Sequence, residues 1–133
     1  MNANPMEEQI GRLVGNLLAG GGVFFVPGAG AIYTERQGAR RLNRRTVLPP
    51  SRTVAFTSQQ RGVSLVDEIA RVMREAGGYE NPEAEAQAVY DRWIARVHRA
   101  DLLTVEGVGE LKFKNFIPDE AFDLRLNPQG REP

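Results

Sequence analysis

The chain has 133 residues, of which 41% are apolar and 26% charged, a composition typical of one small globular domain or two very small ones. It contains no cysteine, which excludes disulfides, thiolate metal sites and a cysteine nucleophile. Seventeen basic and seventeen acidic side chains cancel, but residues 1–66 hold eight arginines against three glutamates, and this asymmetry indicates a charged partner for the first half.

The first predicted element is a helix over residues 5–19. Asn4 is a suitable N-cap, Pro5 suits the first helical position, and the run Gly20-Gly21-Gly22 ends the helix. Its apolar residues recur at helical spacing and predict one buried face: Ile10, Leu13, Val14, Leu17 and Leu18.

Two short strands, 23–26 and 31–34, follow the first helix. The sequence Pro27-Gly28-Ala29-Gly30 between them predicts a hairpin turn in which the glycines take positive φ. A third extended run, 46–57, is expected to be a bent or edge strand because it contains Pro49-Pro50. Residues 35–45 carry many like charges and almost nothing to bury, so we expect this segment to be exposed.

The second half begins with two predicted helices, over 65–76 and 82–99, capped by Ser64 and Asn81. Strands 102–105 and 110–116 then form a hairpin around Gly107 and Gly109. The tail 118–126 is either a short helix or a third strand. We interpret Asn127-Pro128-Gln129-Gly130 as a linker.

The two halves resemble each other. VPGAGAI at 26–32 recurs as VEGVGEL at 105–111, and each copy follows a helix that opens with Asn-Pro. This predicts a duplication with halves 1–62 and 63–133, packed as an intramolecular pseudo-dimer. Dinucleotide binding is not indicated, because Tyr33 and Lys112 stand where a third glycine would be needed and strands follow each turn.

The order of helices, strand, Gly-x-Gly turn and strand resembles the HU and IHF class of bacterial DNA-architectural proteins. Residues 65–113, ending in LLTVEGVGELKF, are similar to that part of an HU subunit, with Val108 and Leu111 in the places of the usual phenylalanines. VFFVPGAGAIY and VLPPSRTVAFTSQ are similar to the tandem HU-like region at the N-terminus of SPOR-containing bacterial envelope-linked proteins. The resemblance implies an α+β fold built from two HU-like helix plus β-hairpin halves.

The same resemblance implies a DNA contact. HU-class proteins extend their second and third strands into a basic arm that wraps DNA in the minor groove. Only the first half of this chain has room for an arm, between Tyr33 and Val54. We expect that arm to contact phosphates with little base reading, through six arginines: Arg36, Arg40, Arg41, Arg44, Arg45 and Arg52.

No catalytic or metal site is predicted, since His98 is the only histidine and no nucleophile accompanies the neighbouring carboxylates. We therefore expect a non-enzymatic protein with no cofactor and no small-molecule substrate. No window is long and apolar enough to span a membrane, and the N-terminus lacks the features of a signal peptide, which favours a cytoplasmic location.

Two functions stay open at this point. The first is a DNA-binding module that grips duplex DNA through the arginine-rich hairpin. The second is a protein-interaction or scaffold module that keeps the HU fold without DNA binding, as the cytoplasmic part of an envelope-associated protein. The arginine cluster favours DNA, whereas zero net charge and the missing second arm favour the scaffold.

Overall fold

The computed structural model describes residues 4–38, 40–41, 43–45, 47–48 and 50–128. Four helices lie within these residues: α1 (Pro5–Ala19), α2 (Leu65–Ala76), α3 (Pro82–Val97) and α4 (Glu120–Leu126). Side-chain caps fix where the first three begin. Asn4 Oδ1 accepts a hydrogen bond from the Met6 N–H at 2.9 Å, and Ser64 and Asn81 cap α2 and α3 in the same way. The first three helices thus begin as predicted.

Ten strands occur in the described residues, most of them short. They are β1 (Phe24–Val26), β2 (Gly30–Gln37), β3 (Arg40–Arg41), β4 (Val47–Leu48), β5 (Ser51–Thr57), β6 (Val63–Ser64), β7 (His98–Arg99), β8 (Leu102–Val105), β9 (Gly109–Lys112) and β10 (Asn115–Pro118).

The first sheet has the strand order β5-β2-β1-β6. β1 and β2 form the predicted antiparallel hairpin, in which Val26 pairs with Gly30. β2 then pairs antiparallel with β5 along its length, and β6 adds in parallel beside β1. The predicted run 46–57 is interrupted, because β4 and β5 are separate strands, as the two prolines in its sequence suggested. Pro49 itself lies outside the described residues.

The second sheet has the order β10-β9-β8-β7, and its β8–β9 hairpin was also predicted. The prediction of one strand over 110–116 was wrong. The chain reverses at Phe113 and Lys114, which have φ of 50° and 65°, so that Lys112 pairs with Asn115. Of the two alternatives left open for the tail 118–126, the structure has the helix, since α4 covers Glu120–Leu126 and only Pro118 of this range belongs to β10.

The prediction that the third helix reaches residue 99 was also wrong. α3 ends at Val97, and His98 has an extended backbone with φ −107° and ψ 115°. His98 and Arg99 instead pair with Leu103 and Leu102 at the edge of the second sheet. Strand pairing therefore provides the backbone partners that another half-turn of helix would have supplied.

The two hairpins use glycine in the same way. Gly28 and Gly107 have φ of 88° and 76°, and Gly30 and Gly109 have φ of 148° and 151°. A Cβ at Gly30 would collide with the Thr57 carbonyl oxygen, and one at Gly109 would collide with that of Ile117. In each sheet the strand that pairs with the glycine's own strand, β5 at Gly30 and β10 at Gly109, passes too close for a side chain at that position.

The two sheets differ in the connection from second to third strand. Phe56, which crosses over Gly30, lies 26 positions after it, whereas Phe116 crosses over Gly109 after only seven positions. The first sheet therefore has an insertion between β2 and β5. It falls where the sequence leaves room for an arm, between Tyr33 and Val54. The second sheet makes the same connection with the two-residue turn at Phe113 and Lys114.

Helices and sheets share one apolar core, giving a mixed α+β fold. The largest fully buried side chains include Leu18 of α1, Phe24 of β1, Trp93 of α3 and Leu103 of β8, so the core draws on both predicted halves. Helix α1 packs on β8, while α2 packs on β1. Trp93 is completely buried within this core.

Candidate nucleic-acid interface

A two-stranded ribbon projects from the first sheet where the sequence predicts the arm. At its base, Arg36 of β2 pairs with Arg52 of β5, and Gln37 pairs with Ser51. Farther out, β3 and β4 pair antiparallel, with Arg41 opposite Val47. We call residues 35–53 the arm. Its described residues are mostly exposed, because like charges on a thin ribbon have no apolar surface to bury.

The turn of the arm is held by an asparagine. Asn43 Oδ1 accepts a hydrogen bond from the Arg45 N–H at 2.8 Å, an Asx-type contact that favours chain reversal. The side chains of Arg44 and Arg45 then lie at the exposed end of the ribbon.

Four of the predicted arginines are exposed on this arm: Arg36, Arg41, Arg44 and Arg45. The ion pairs among the described residues join Arg71, Arg74 and Arg96 to glutamates of the helices, and none of them involves these four exposed arginines. The guanidinium groups of these four arginines are thus available to an outside anion. Arg40 lies in β3, and its side chain is outside what the structure describes.

Arg52, the sixth predicted site residue, lies in a different environment. Its Nη2 donates hydrogen bonds to the carbonyl oxygens of Leu18 and Ala19, at 2.7 and 3.0 Å. These are carbonyls at the C-terminal end of α1, where a cation is favoured and where α1 has no basic residue of its own. Arg52 therefore joins the base of the arm to α1.

Asn127 completes this attachment, and the interpretation of it as part of a linker was wrong. It is 4% exposed, its Oδ1 accepts from the Arg52 N–H at 2.7 Å, and its Nδ2 donates to the Arg52 carbonyl at 3.0 Å. The same amide also donates to the carbonyl of Asp123 in α4 at 3.2 Å. We call Arg52 and Asn127 the clasp. It fixes the base of the arm to two helices.

A tyrosine ties the third helix to the first hairpin. The Tyr90 hydroxyl donates a hydrogen bond to the Pro27 carbonyl at 2.5 Å. Burial raises the pKa of Tyr90 well above its ordinary value, with a smaller contribution from the charge of Asp91. Tyr90 is therefore a neutral structural donor.

The described residues offer no group of three His, Cys, Asp or Glu side chains that could hold a metal ion. His98 is exposed at the edge of the second sheet. None of the helices in the described part of the chain is long and apolar enough to cross a membrane.

A second surface feature is an apolar groove between α1, α2 and α3. It has a volume of about 910 Å³ and includes Ile10, Leu13, Met73 and Val89. The exposed residues Val72 and Tyr79 lie on it as well, and they are 42% and 45% exposed.

Comparisons of this chain with protein-family models, with curated proteins and with solved structures found no match in any of the three.

Proposed function

We propose that this protein is a non-enzymatic DNA-binding module that grips the phosphates of duplex DNA with its arm. The observation that carries the proposal is the set of four exposed arginines on a projecting β-ribbon, none of them in an ion pair with a described residue. Arginine matches phosphate geometry with its planar fork of donors. Phosphate contacts of this kind give affinity with little sequence preference.

The clasp holds the inner end of the arm in place before any DNA is bound. A flexible arm would lose conformational entropy when it settles on DNA. Here the inner end of the arm is already fixed to α1 and α4 by the hydrogen bonds of Arg52 and Asn127. We expect this to lower the cost of binding and to set the direction from which the arm approaches a duplex.

The repeated hairpins support an HU-like arrangement as the setting for the arm. We propose that halves 1–62 and 63–133 form an intramolecular pseudo-dimer in which only the first half retains an arm. Equivalent glycine turns, followed by equivalent crossings of Phe56 and Phe116, favour this arrangement.

The experiment compares two variants with the same net charge. The arm variant changes Arg36, Arg41, Arg44 and Arg45 to glutamine. The control changes four exposed arginines on the helices to glutamine: Arg71, Arg74, Arg92 and Arg96. Binding to a labelled duplex is measured by fluorescence anisotropy at about 50 mM salt, where four phosphate contacts with a slope of roughly −3.6 make the affinity about 5 × 10⁴-fold higher than at about 1 M salt.

We expect the arm variant to lose measurable binding and the control to bind like the wild type or within a few-fold of it. Equal losses in both variants would show that binding follows net charge alone. Loss in the control with retention in the arm variant would place the interface on the helices and refute the proposal.

A second function, docking of a protein partner, is favoured by the apolar groove between α1, α2 and α3. Val72 and Tyr79 expose apolar surface to solvent in this groove. Exposed apolar patches are typical of surfaces that bind another protein. If the wild type does not bind DNA, this groove is the place to introduce charge, for example by Val72→Glu, in a search for a lost protein interaction.

A further inference from the structure

Three helices each turn one stripe of residues towards the apolar groove. The lining residues of α1, from Met6 to Leu13, recur at the spacing i, i+3, i+4 and i+7, and so do those of α2, from Ile69 to Ala76. On α3 the lining residues follow one face from Glu85 to Arg96. Residues at these spacings lie on one side of a helix. The groove therefore has three helical walls.

The groove is apolar from its buried part to its exposed edge. Ile10 and Ile69 line it and are buried, at 4% and 5% exposure, whereas Val72 and Tyr79 line it and are exposed. The apolar core thus continues without a polar border into an apolar surface. A surface of this kind is typical of a site that another apolar surface covers.

Two methionines lie in the walls. Met6 of α1 and Met73 of α2 are partly buried against the core and line the groove, and Met1 is the only other methionine of the sequence. A methionine side chain is unbranched and flexible, so it adjusts to the shape of the side chains that pack on it. Methionine-rich walls are found in grooves that bind peptide helices.

The two repeated halves differ in what covers the helix before the hairpin. In the second half, α2 packs along α3. In the first half, the described residues before α2 contain only α1, so no helix of that half covers the stripe from Met6 to Leu13. A helix bound in the groove would give α1 the helical neighbour that α3 already has, and would complete a four-helix arrangement.

The α3 wall carries two charges that suit a helical partner. Arg92 and Glu85 line the groove, are both exposed, and lie seven positions apart, which is about 10 Å along a helix. The ion pairs among the described residues include Arg96 with Glu7, at 2.9 Å, but none includes Arg92 or Glu85. A partner helix with an acidic and a basic residue seven positions apart can pair with both.

We propose that this groove binds one amphipathic α-helix of a protein partner, with an acidic residue beside Arg92 and a basic residue beside Glu85. The inference deepens the second candidate function, protein docking, and rests on it rather than on the DNA contact of the arm. Apolar residues of the partner at i, i+3 or i+4, and i+7 enter between the three walls. The α3 wall from Glu85 to Arg96 is about 17 Å long, which matches three turns of helix.

The test selects binders to the intact chain from a displayed library of fully randomised peptides about 14 residues long, or four helical turns. We expect the selected sequences to share apolar residues at helical spacing, flanked by an acidic and a basic residue seven positions apart. A selected peptide is then synthesised with a fluorescent label. Its affinity for the wild type and for variants is measured by anisotropy.

Val72→Glu places a charge in the groove, and Leu124→Glu is the matched control at an exposed position of α4 outside it. Glutamate is a better helix former than valine, so Val72→Glu should fold, and circular dichroism checks this. We expect Val72→Glu to weaken peptide binding about tenfold or more, because the peptide would bury an unpaired charge. Leu124→Glu should bind the peptide as the wild type does. Tyr79→Ala removes apolar surface without adding charge and should also weaken binding.

Arg92→Glu tests the charge pairing. It should weaken binding about fivefold, the upper range for an exposed ion pair, and a peptide whose acidic residue is changed to lysine should recover the loss. Absence of this recovery would refute the pairing and with it the proposed orientation of the helix.

Three results would overturn the proposal as a whole. They are a library that yields no binder, selected peptides without apolar residues at helical spacing, and equal peptide affinity of the wild type and Val72→Glu. Self-association of the wild type that Val72→Glu abolishes, with no peptide selected, would place a second copy of the chain in the groove instead. Duplex binding is measured on the same variants, and Val72→Glu should leave it unchanged. A failure of the arm to bind DNA and a failure of the groove to bind a helix are thus distinguished.

Discussion

Replacing Asn127 by alanine should detach the base of the arm from α4. The substitution removes the acceptor of the Arg52 N–H, at 2.7 Å, and the donor to the Arg52 carbonyl, at 3.0 Å. It also removes the hydrogen bond to the Asp123 carbonyl. Because Asn127 is only 4% exposed, water has little access to replace these partners.

The expected loss of stability follows from these contacts. A hydrogen bond contributes about 1 kcal/mol net, and a buried group left without a partner costs about 1–3 kcal/mol. With both backbone groups of Arg52 affected, we expect the free energy of unfolding to fall by about 2–3 kcal/mol. For a chain of this length that corresponds to a decrease in Tm of roughly 6–12 °C.

Urea unfolding followed by circular dichroism measures this loss, with Asn16→Ala as the control. Asn16 is an exposed asparagine whose Oδ1 accepts from Arg125 Nη2 at 2.8 Å, so its replacement should change stability by no more than about 0.5 kcal/mol. Equal effects of the two substitutions would refute the reasoning about the clasp. So would a loss below about 0.5 kcal/mol for Asn127→Ala.

Three further predictions concern the turns, the buried tyrosine and the helix end. Gly30→Ala should destabilise the fold much more than Gly28→Ala in the same urea assay, because a Cβ at Gly28 meets nothing within 4 Å whereas one at Gly30 collides with backbone; similar losses would contradict this. Burial raises the Tyr90 pKa in the folded state, so the stability that its neutral form provides is complete below the unfolded pKa of 10.0 and decreases as pH rises above it. Unfolding at about pH 9 and about pH 11 should therefore show a smaller alkaline loss for Tyr90→Phe than for the wild type. Arg52→Met should cost about 1–3 kcal/mol, since it removes the side-chain donor to the Leu18 and Ala19 carbonyl oxygens and leaves the Leu18 oxygen with the Gly21 N–H alone; an unchanged Tm would refute the capping role.

Local patterns were sufficient to predict where α1, α2 and α3 begin, and to predict the two hairpins with glycine turns. Asn4, Ser64 and Asn81 each precede an apolar stripe at helical spacing, and each caps a helix in the structure. The glycine-containing turns were predictable for a similar reason, because few residues other than glycine tolerate their backbone angles. Features of this kind depend on residues that are close together in the sequence.

The features that the sequence did not predict depend on distant partners. Asn127 lies 75 positions from Arg52, so nothing near either residue signalled the clasp. The end of α3 was misplaced because His98 and Arg99 pair with β8, a tertiary contact that overrides helical spacing. The turn at Phe113 lacks the glycine or asparagine that usually marks a hairpin, so its sequence looked like a continuous strand.

The salt dependence of DNA binding tests the central claim most directly. If Arg36, Arg41, Arg44 and Arg45 each contact a phosphate, the logarithm of the association constant should fall against the logarithm of salt concentration with a slope of roughly −3.6. Wild-type affinity would then fall roughly 150-fold between about 50 and about 200 mM salt, with little dependence on duplex sequence. A wild-type chain that does not bind duplex DNA at about 50 mM salt, or that binds with a slope near zero, would contradict the account.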